Sequence, residues 1–465
     1  MILWFTVWEI LLQLRAGFGR VRTFLWFAVV VAGFCVRRDL AGVTSFVRAL
    51  GLQPACYDRM LDFFHSPSIK LVTLTRLWTK VVLRTFPLCK VNGRVLLVAD
   101  GIKVPKEGKK MPGVKSLHQE SQSNSKPEYI MGHSCQAVAL LVGDERCVVA
   151  VPLISRICEG IVRSNRSTKT LLDKLLDLVQ ELCIEQPYYL IADAYYASRG
   201  MIRRLIKAGN HLVSRARKNS VAYAQVSPSN ITRRGRKRLY GKKIKLRTLF
   251  DDLTSFVECL SPVYNETGIK LRYLSVDLLW RPVGHLMRFV LVVHPTRGSI
   301  ILLSSDLSLS AIEIITLYAW RFKIEVSFKQ SVRSLGAYAY HFWSMYMSPI
   351  RRGSGNQYLH MKTPRYRASI LKKLAAYHAF IQTAIIAQGI LLLLAVTNTA
   401  LVWKSFGSWL RTIRPGVLPS ESVVMLALRN SLPEFLTDSS KPSILQKFIR
   451  KRIDPTRSEG WTLVA

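Results

Sequence analysis

Three acidic residues stand where a carboxylate could do chemistry. Asp100 ends a continuous apolar run of strand length, and Asp193 follows a second such run. Glu325 lies midway along residues 310–335, where apolar side chains recur at helical spacing and place it on the core-facing side. A carboxylate at such a position is unfavourable unless it is paired or bound to a metal ion. These three residues are therefore the candidate catalytic and metal-binding residues.

Each acid also has a simpler interpretation. Arg321 and Lys329 lie one turn before and after Glu325 on the same helix face, so a structural ion pair is the alternative there. A turn or cap residue is the alternative for each aspartate. The three positions together favour a site, because ligands in an open α/β sheet gather at the carboxyl ends of the strands.

Carboxylates that converge repel one another, and this predicts divalent cations between them. Oxygen ligands suit Mg²⁺ or Mn²⁺. Two such ions about 4 Å apart can activate a water or a 3′-hydroxyl and stabilise the leaving oxygen of a phosphoryl transfer. The predicted cofactor is therefore a pair of Mg²⁺ or Mn²⁺ ions.

The elements that must position these acids predict an α/β fold between two helical regions. Residues 1–90 read as wholly helical, and residues 42–64 are compatible with a DNA-binding helix-turn-helix. The central strands are predicted at residues 94–100, 135–142, 147–154, 188–192 and 211–217, with helices at 167–183 and 199–208. A β-rich insertion of about residues 218–305 precedes the helix of Glu325, with strand-like runs at 273–279, 289–294 and 300–303.

The predicted division has three parts. Residues 1–90 form the helical N-terminal region, residues 91–345 the catalytic region with its insertion, and residues 346–465 a basic linker and a helical C-terminal region. A long helix is expected at about 368–409. Residues 384–403 carry no charge, and their polar residues and basic flanks favour a buried core helix over a membrane span.

The charge points to a polyanionic partner. Lys and Arg number 67 against 29 Asp and Glu, a net charge of +38, so nucleic acid is the first candidate and an anionic membrane the second. The eight cysteines form no CxxC pair, which indicates thiols in a reducing compartment and neither a disulfide framework nor a zinc site.

Several basic segments are candidate phosphate contacts. Residues 233–247 are the most basic, with a solvated loop as the alternative. Residues 351–367 mix basic and aromatic residues in a pattern that suits backbone contacts with some base stacking. The phosphate-binding candidates of the first segment are Arg233, Arg234, Arg236, Lys237 and Arg238. The candidates that follow the first acid and could line the mouth of the site are Lys103, Lys106, Lys109, Lys110 and Lys115.

The chain resembles the DDE transposases of bacterial insertion sequences, specifically the Tn5-like group. Tyr318, Arg321 and Glu325 match the first three positions of the Tyr-x2-Arg-x3-Glu-x6-Lys motif of that group. Asp193 followed by Ala-Tyr-Tyr, and Asp100 followed by Gly, look like its other two signatures. The signature lysine falls on a valine at position 332, and the resemblance leaves Lys329 or Arg333 to take its place.

This resemblance implies a ribonuclease H-like core with a β-rich insertion, and a two-metal DNA endonuclease and strand transferase. Asp100, Asp193 and Glu325 would hold the metal ions, while Tyr318 and Arg321 would bind phosphates beside the scissile bond. The enzyme would carry out cut-and-paste transposition at insertion-sequence ends, as a homodimer on DNA, in the bacterial cytoplasm at the nucleoid and without a membrane partner. The alternative is an inactive, domesticated DNA-binding protein of the same fold. A tyrosine recombinase is disfavoured, because the nine histidines show no Arg-His-Arg cluster beside a tyrosine.

Overall fold

A mixed sheet of 13 strands runs through the computed structural model, which describes residues 1–119, 127–144, 147–226, 239–263, 266–408, 412–438 and 442–456. The strands are β1 (Lys90–Val91), β2 (Arg94–Pro105), β3 (Lys115–His118), β4 (Tyr129–Asp144), β5 (Cys147–Ile157), β6 (Ile161–Val162), β7 (Tyr188–Ala192), β8 (His211–Arg215), β9 (Val221–Tyr223), β10 (Lys243–Lys245), β11 (Val257–Leu260), β12 (Lys270–Trp280), β13 (His285–His294), β14 (Gly298–Ser304) and β15 (Gln357–Tyr358). Thirteen of these described strands form the large sheet, and β6 and β15 form a separate parallel pair.

Helices precede, cover and follow this sheet. They are α1 (Ile2–Gln13), α2 (Val21–Val36), α3 (Gly42–Ala49), α4 (Cys56–Phe64), α5 (Leu71–Thr85), α6 (Leu171–Glu181), α7 (Arg199–Lys207), α8 (Ala311–Trp320), α9 (Phe322–Gln330), α10 (Pro364–Thr397), α11 (Thr399–Phe406), α12 (Glu421–Thr437) and α13 (Ile444–Arg450). Short 3₁₀ turns lie at Arg15–Gly17, Ala194–Tyr196, Leu246–Phe250 and Leu359–Met361, and a π turn at Ser331–Leu335.

The centre of the sheet has the strand order β5-β4-β2-β7-β8. β4 is antiparallel to β2, and β5 is antiparallel to β4, whereas β7 is parallel to β2 and β8 to β7. The strands predicted for the insertion continue the same sheet, because β14 pairs with β8 and β13 and β12 follow it outward. The predicted α/β class is confirmed as a mixed α/β fold with one large sheet.

Helices cover both faces of the central strands. On one face, alternate residues of β2 join the core that contains α5, α6 and α10; on the other, the intervening residues pack against α8 and α9. Helices from the two ends of the chain also pack together, since α10 and α12 both contact α2. α8, the first part of the helix that carries Glu325, therefore lies over the sheet on the face opposite to α10, and the later turns of that helix reach α10 through Ser327 and Ser331.

Helix α10 is long and apolar enough to cross a membrane by length and composition, yet its most apolar window is 94% buried inside the protein. Polar residues within it have partners in the core. Gln382 bonds Arg156 and the carbonyl of Leu153, and Gln388 bonds Ser327 in α9. The prediction of a buried core helix is confirmed, and these amides explain its polar positions.

Several predicted boundaries were wrong. β2 does not end at Asp100 but runs on to Pro105, because β4 pairs with it as far as Gly132. α6 begins at Leu171, four residues later than predicted, since Thr170 and Asp173 form the capping box there. The long C-terminal helix begins at Pro364 and is interrupted at Asn398.

The helix predicted over residues 310–335 is confirmed at its start, where Ser310 and Glu313 form the capping box. It is not one regular α-helix, however. The α-helical pattern is interrupted at Arg321, and the last turn widens into the π turn Ser331–Leu335 before Gly336 ends it in the left-handed region. We call the whole segment, residues 311–335, the Glu325 helix.

Candidate active site

The strand register brings the two aspartates side by side. The parallel pairing of β2 with β7 ends at the partners Ala99 and Ala192, so Asp100 and Asp193 are the next residues on neighbouring strands. Neighbouring strands lie about 4.8 Å apart. From here β7 turns away into a 3₁₀ turn while β2 continues, and Ser214 of β8 fixes this end by donating its hydroxyl to the Asp193 carbonyl at 3.0 Å.

The Glu325 helix reaches both aspartates through its side chains. Arg321 donates from Nη1 to Asp100 Oδ2 at 2.9 Å and from Nη2 to Glu325 Oε1 at 2.7 Å. The hydroxyl of Tyr318 donates to Asp193 Oδ1 at 3.1 Å. The structure thus brings five predicted site residues together, across more than 200 residues of chain.

The interruption at Arg321 lies at the centre of this arrangement. The Arg321 amide bonds the carbonyl of Tyr318 and its own carbonyl accepts from Ile324, so the helix is locally tightened from four-residue to three-residue spacing. Helix irregularities of this kind are frequent at functional sites. In this protein the irregularity lies at Arg321, whose side chain contacts both Asp100 and Glu325.

The charges of the three acids interact. Burial raises the pKa of Asp100, Glu325 and Asp193 raise it further by repulsion, and Arg321 with the Gly101 amide opposes them. Burial also acts against the charge of Arg321, but Asp100, Tyr318 and Glu325 outweigh it and raise its pKa. Burial, together with the negative charge of Asp193, raises the pKa of Tyr318 to about 12. The site is a partly buried cluster of negative charge that needs a cation.

In this conformation the cation is the guanidinium of Arg321. Within the described residues no group of three or more His, Cys, Asp or Glu is arranged to hold a metal ion. The donor chemistry nevertheless fits Mg²⁺ or Mn²⁺, because the carboxylates supply only oxygen atoms. The arrangement in which all three carboxylates face one ion requires Arg321 to leave the space between Asp100 and Glu325.

The structure also places the remaining predicted contact residues. Lys329 in α9 and Arg333 in the π turn are both exposed, on either side of Val332. Lys103 donates to the carbonyl of His118 at 2.7 Å. Their roles toward phosphate stay predictions. The predicted residues Arg233, Arg234, Arg236, Lys237 and Arg238 lie outside the described residues.

Lys106 does not line the mouth of the site, as the sequence suggested. Its side chain is buried, its ammonium donates to the carbonyls of Tyr338 and Tyr340, and it lies 3.9 Å from the centre of the Tyr340 ring. Sequence reasoning missed this because a lysine in a basic loop usually faces solvent. Lys106 ties the end of β2 to the chain that follows the Glu325 helix.

Gln388 was also missed as a residue that positions the site. Its amide nitrogen donates to the Ser327 carbonyl at 3.1 Å, and its oxygen accepts from the Ser331 hydroxyl. Both serines lie on the side of the Glu325 helix that faces α10. A glutamine inside an uncharged helical run was the available signal, since a buried amide needs partners.

Comparison with known proteins gives the family. Residues 13–255 match the family described as DDE superfamily endonuclease. That span is more than half of the chain. The chain belongs to this family. The matched region contains Asp100 and Asp193, and Glu325 lies beyond it.

The chain is also similar to a solved structure, the cryo-EM structure of a piggyBac transposase synaptic complex with hairpin DNA. The identity is 14%, the similarity covers 94% of this chain and 77% of that one, and the TM-score is 0.37. No curated protein matches the chain. The family match confirms the resemblance to DDE enzymes at the level of the superfamily, and the narrower assignment to the Tn5-like group of insertion sequences stays a prediction.

Proposed function

We propose that this DDE-family chain is a transposase that cuts DNA at the ends of a mobile element and joins the freed 3′ end to a target. The observation that carries the proposal is the contact of Arg321 with both Asp100 and Glu325, beside the Asp193 partner of Tyr318. Residues from two strands and one distant helix meet at one point. The family membership supplies the class of reaction.

The sheet supports a ribonuclease H-like core. In the order β5-β4-β2-β7-β8, three antiparallel strands are followed by two strands parallel to β2, and the aspartates lie on β2 and just after β7. That arrangement places ligands at the point where the paired parallel strands separate. We assign this unit as the catalytic core and the β9–β14 strands as its insertion.

Asp100, Asp193 and Glu325 would hold the metal ions. Bound there, two ions of the Mg²⁺ type would supply activation of a water or 3′-hydroxyl and stabilisation of the leaving oxygen. The side chains themselves orient the DNA. The Arg321 guanidinium, once free of its carboxylates, matches a phosphate with two parallel N–H donors, and the Tyr318 hydroxyl is a further donor on the same helix face.

The net charge of +38 suits a DNA partner, and we propose that two copies of the chain bridge two DNA ends. Binding through many phosphates should weaken steeply with salt. A second candidate is favoured by the position of Arg321, whose guanidinium pairs with both Asp100 and Glu325. In that case the chain is a DNA-binding protein that retains the fold and has lost cleavage.

The test compares Asp193→Asn with the wild-type protein on a plasmid that carries the DNA flanking the gene, in Mg²⁺. We expect the variant to lose cleavage and keep salt-dependent binding, because the substitution removes one negative charge from the site. Asp177→Asn is the matched control, since this exposed aspartate on α6 pairs with Lys169, away from the site. Cleavage by Asp193→Asn would refute the site assignment. Binding by the wild type without any cleavage would favour the second candidate.

A further inference from the structure

Exposed aromatic and basic side chains form a surface directly after the Glu325 helix. Trp343 and Tyr346 are each 60% exposed, although tryptophan and tyrosine side chains are on average largely buried. Four exposed basic residues follow them within 20 positions. We call this set the aromatic–basic surface, and its members are Trp343, Tyr346, Arg351, Arg352, Lys362 and Arg365.

The surface belongs to a segment without acidic residues. The sequence contains no Asp or Glu between Glu325 and Glu421. Arg365 also lies in the first turn of α10, where the helix dipole disfavours a cation. Unpaired positive charge at these positions is unfavourable in the free protein and becomes favourable when an anion binds.

The segment is held against the chain that follows β2. The amide of Ser344 donates to the carbonyl of Lys110 at 2.9 Å, and the amide of Ile350 donates to the carbonyl of Lys109 at 2.7 Å. Between the two segments lies a groove of about 730 Å³, bordered by Trp343 on one side and by both lysines on the other. Glu107 also borders this groove.

Both walls of the groove continue elements of the candidate active site. One wall follows β2 and the other follows the Glu325 helix. Lys106 lies six positions beyond Asp100, directly after the end of β2, which is a distance of about 20 Å at about 3.3 Å per residue. A DNA strand held at the three acids would therefore reach the groove within a few nucleotides.

The mixture of side chains indicates which form of DNA fits. The Arg365 guanidinium lies 5.8 Å from the centre of the Tyr346 ring, so a cation and an aromatic face are presented together. Phosphates of any DNA satisfy the basic residues, but aromatic rings stack only on bases that have left the duplex. Stacked base pairs in a duplex offer no such face.

We propose that the aromatic–basic surface binds unpaired DNA nucleotides adjacent to the candidate active site, with Trp343 and Tyr346 stacking on the bases. The identification of the strand as DNA rests on the proposed function. The surface would hold a strand opened near the cleavage point, so it specifies a substrate that is partly single-stranded.

The test measures binding in EDTA, so that its outcome does not depend on cleavage. Three probes of equal length are compared by fluorescence anisotropy: oligo-dT, a duplex, and an oligonucleotide with abasic sites that keeps the phosphates and lacks the bases. The double variant Trp343→Ala/Tyr346→Ala should bind oligo-dT about tenfold or more weakly than the wild type, since stacking contributes about 1–3 kcal/mol per base. Its affinity for the duplex and the abasic strand should match that of the wild type.

Two controls complete the test. Ile444→Ala removes an exposed apolar side chain on α13 and should change none of the three affinities. Arg351→Ala/Arg352→Ala should weaken binding to all three probes, because phosphates are common to them. The proposal is overturned if the aromatic double variant loses as much affinity for the abasic strand as for oligo-dT, or loses none. It is also overturned if this variant binds DNA normally and instead loses binding to anionic lipid vesicles.

Discussion

Removal of the Arg321 guanidinium is the sharpest perturbation of the candidate site. Arg321→Met keeps the apolar stem and deletes the charge. The contact with Asp100 joins two largely buried side chains, 17% and 23% exposed, and a charge-assisted bond of this kind contributes about 1.5–3 kcal/mol. The contact with Glu325, which is 41% exposed and four residues away on the same helix, contributes only about 0.3–0.5 kcal/mol. We expect the variant to lose about 2–3 kcal/mol of unfolding free energy in EDTA.

The same measurement in Mn²⁺ or Mg²⁺ tests whether the guanidinium stands where the ions bind. In the variant no guanidinium has to leave, so the carboxylates should bind the ion more tightly than in the wild type. An ion at 100 times its dissociation constant stabilises the folded state by about 2.7 kcal/mol. The difference in urea unfolding between variant and wild type should therefore shrink or disappear when the ion is added, and titration calorimetry should show tighter Mn²⁺ binding by the variant.

Arg288→Met is the matched control. Arg288 donates two bonds to Asp277 at 2.8 and 2.7 Å in the β12–β13 pair and one to the carbonyl of Leu309 at 2.7 Å, and neither partner belongs to the proposed site. Its loss should lower stability equally with and without the ion. If the difference in unfolding free energy between Arg321→Met and the wild type is the same in EDTA and in Mn²⁺, the reasoning is refuted, because Arg321 would then not occupy the place of the cation.

Three further predictions concern the packing that positions the site. Gly389→Ala should lower the free energy of unfolding in urea by about 1–3 kcal/mol, since the added Cβ would lie 2.0 Å from the Trp78 ring. Its control is Gly200→Ala in the open first turn of α7, which should raise that free energy by up to about 1 kcal/mol. Gln388→Leu should lower the free energy of unfolding by about 1–3 kcal/mol and reduce DNA cleavage, because it leaves the two serines of the Glu325 helix without their hydrogen-bond partner. Unchanged cleavage would show that these hydrogen bonds do not position the helix. The pKa of buried His133 is lowered to about 3 against 6.5 for an exposed histidine, so unfolding takes up a proton below pH 6.5 and stability should fall by up to about 1.4 kcal/mol per pH unit toward pH 3. His133→Gln should flatten this slope, and an unchanged slope would contradict the assignment.

Local pattern was sufficient for much of the fold and for the identity of the site residues. Continuous apolar runs predicted the strands before Asp100 and Asp193, and β7 has the predicted bounds. The capping box at Ser310 predicted the start of the Glu325 helix. These features succeed because strand burial and helix capping depend on residues only a few positions apart.

Predictions that depended on distant partners were less successful. The end of β2 was misplaced because its last residues are strand only through their pairing with β4. Lys106 was taken for a surface lysine, although carbonyls more than 200 residues away bind it in the core. The interruption at Arg321 has no local signal either, since its neighbours are ordinary helix formers.

The sequence by itself determined which residues are able to do the chemistry, the order of the elements that carry them, and a charge that suits DNA. Only the tertiary structure decided that Asp100 and Asp193 emerge on adjacent parallel strands and that Arg321 joins one of them to Glu325. The physical reason is that carboxylate and guanidinium types are properties of single residues. Their distances depend on strand register and on the helix packing against α10, which are set by contacts between segments far apart along the chain.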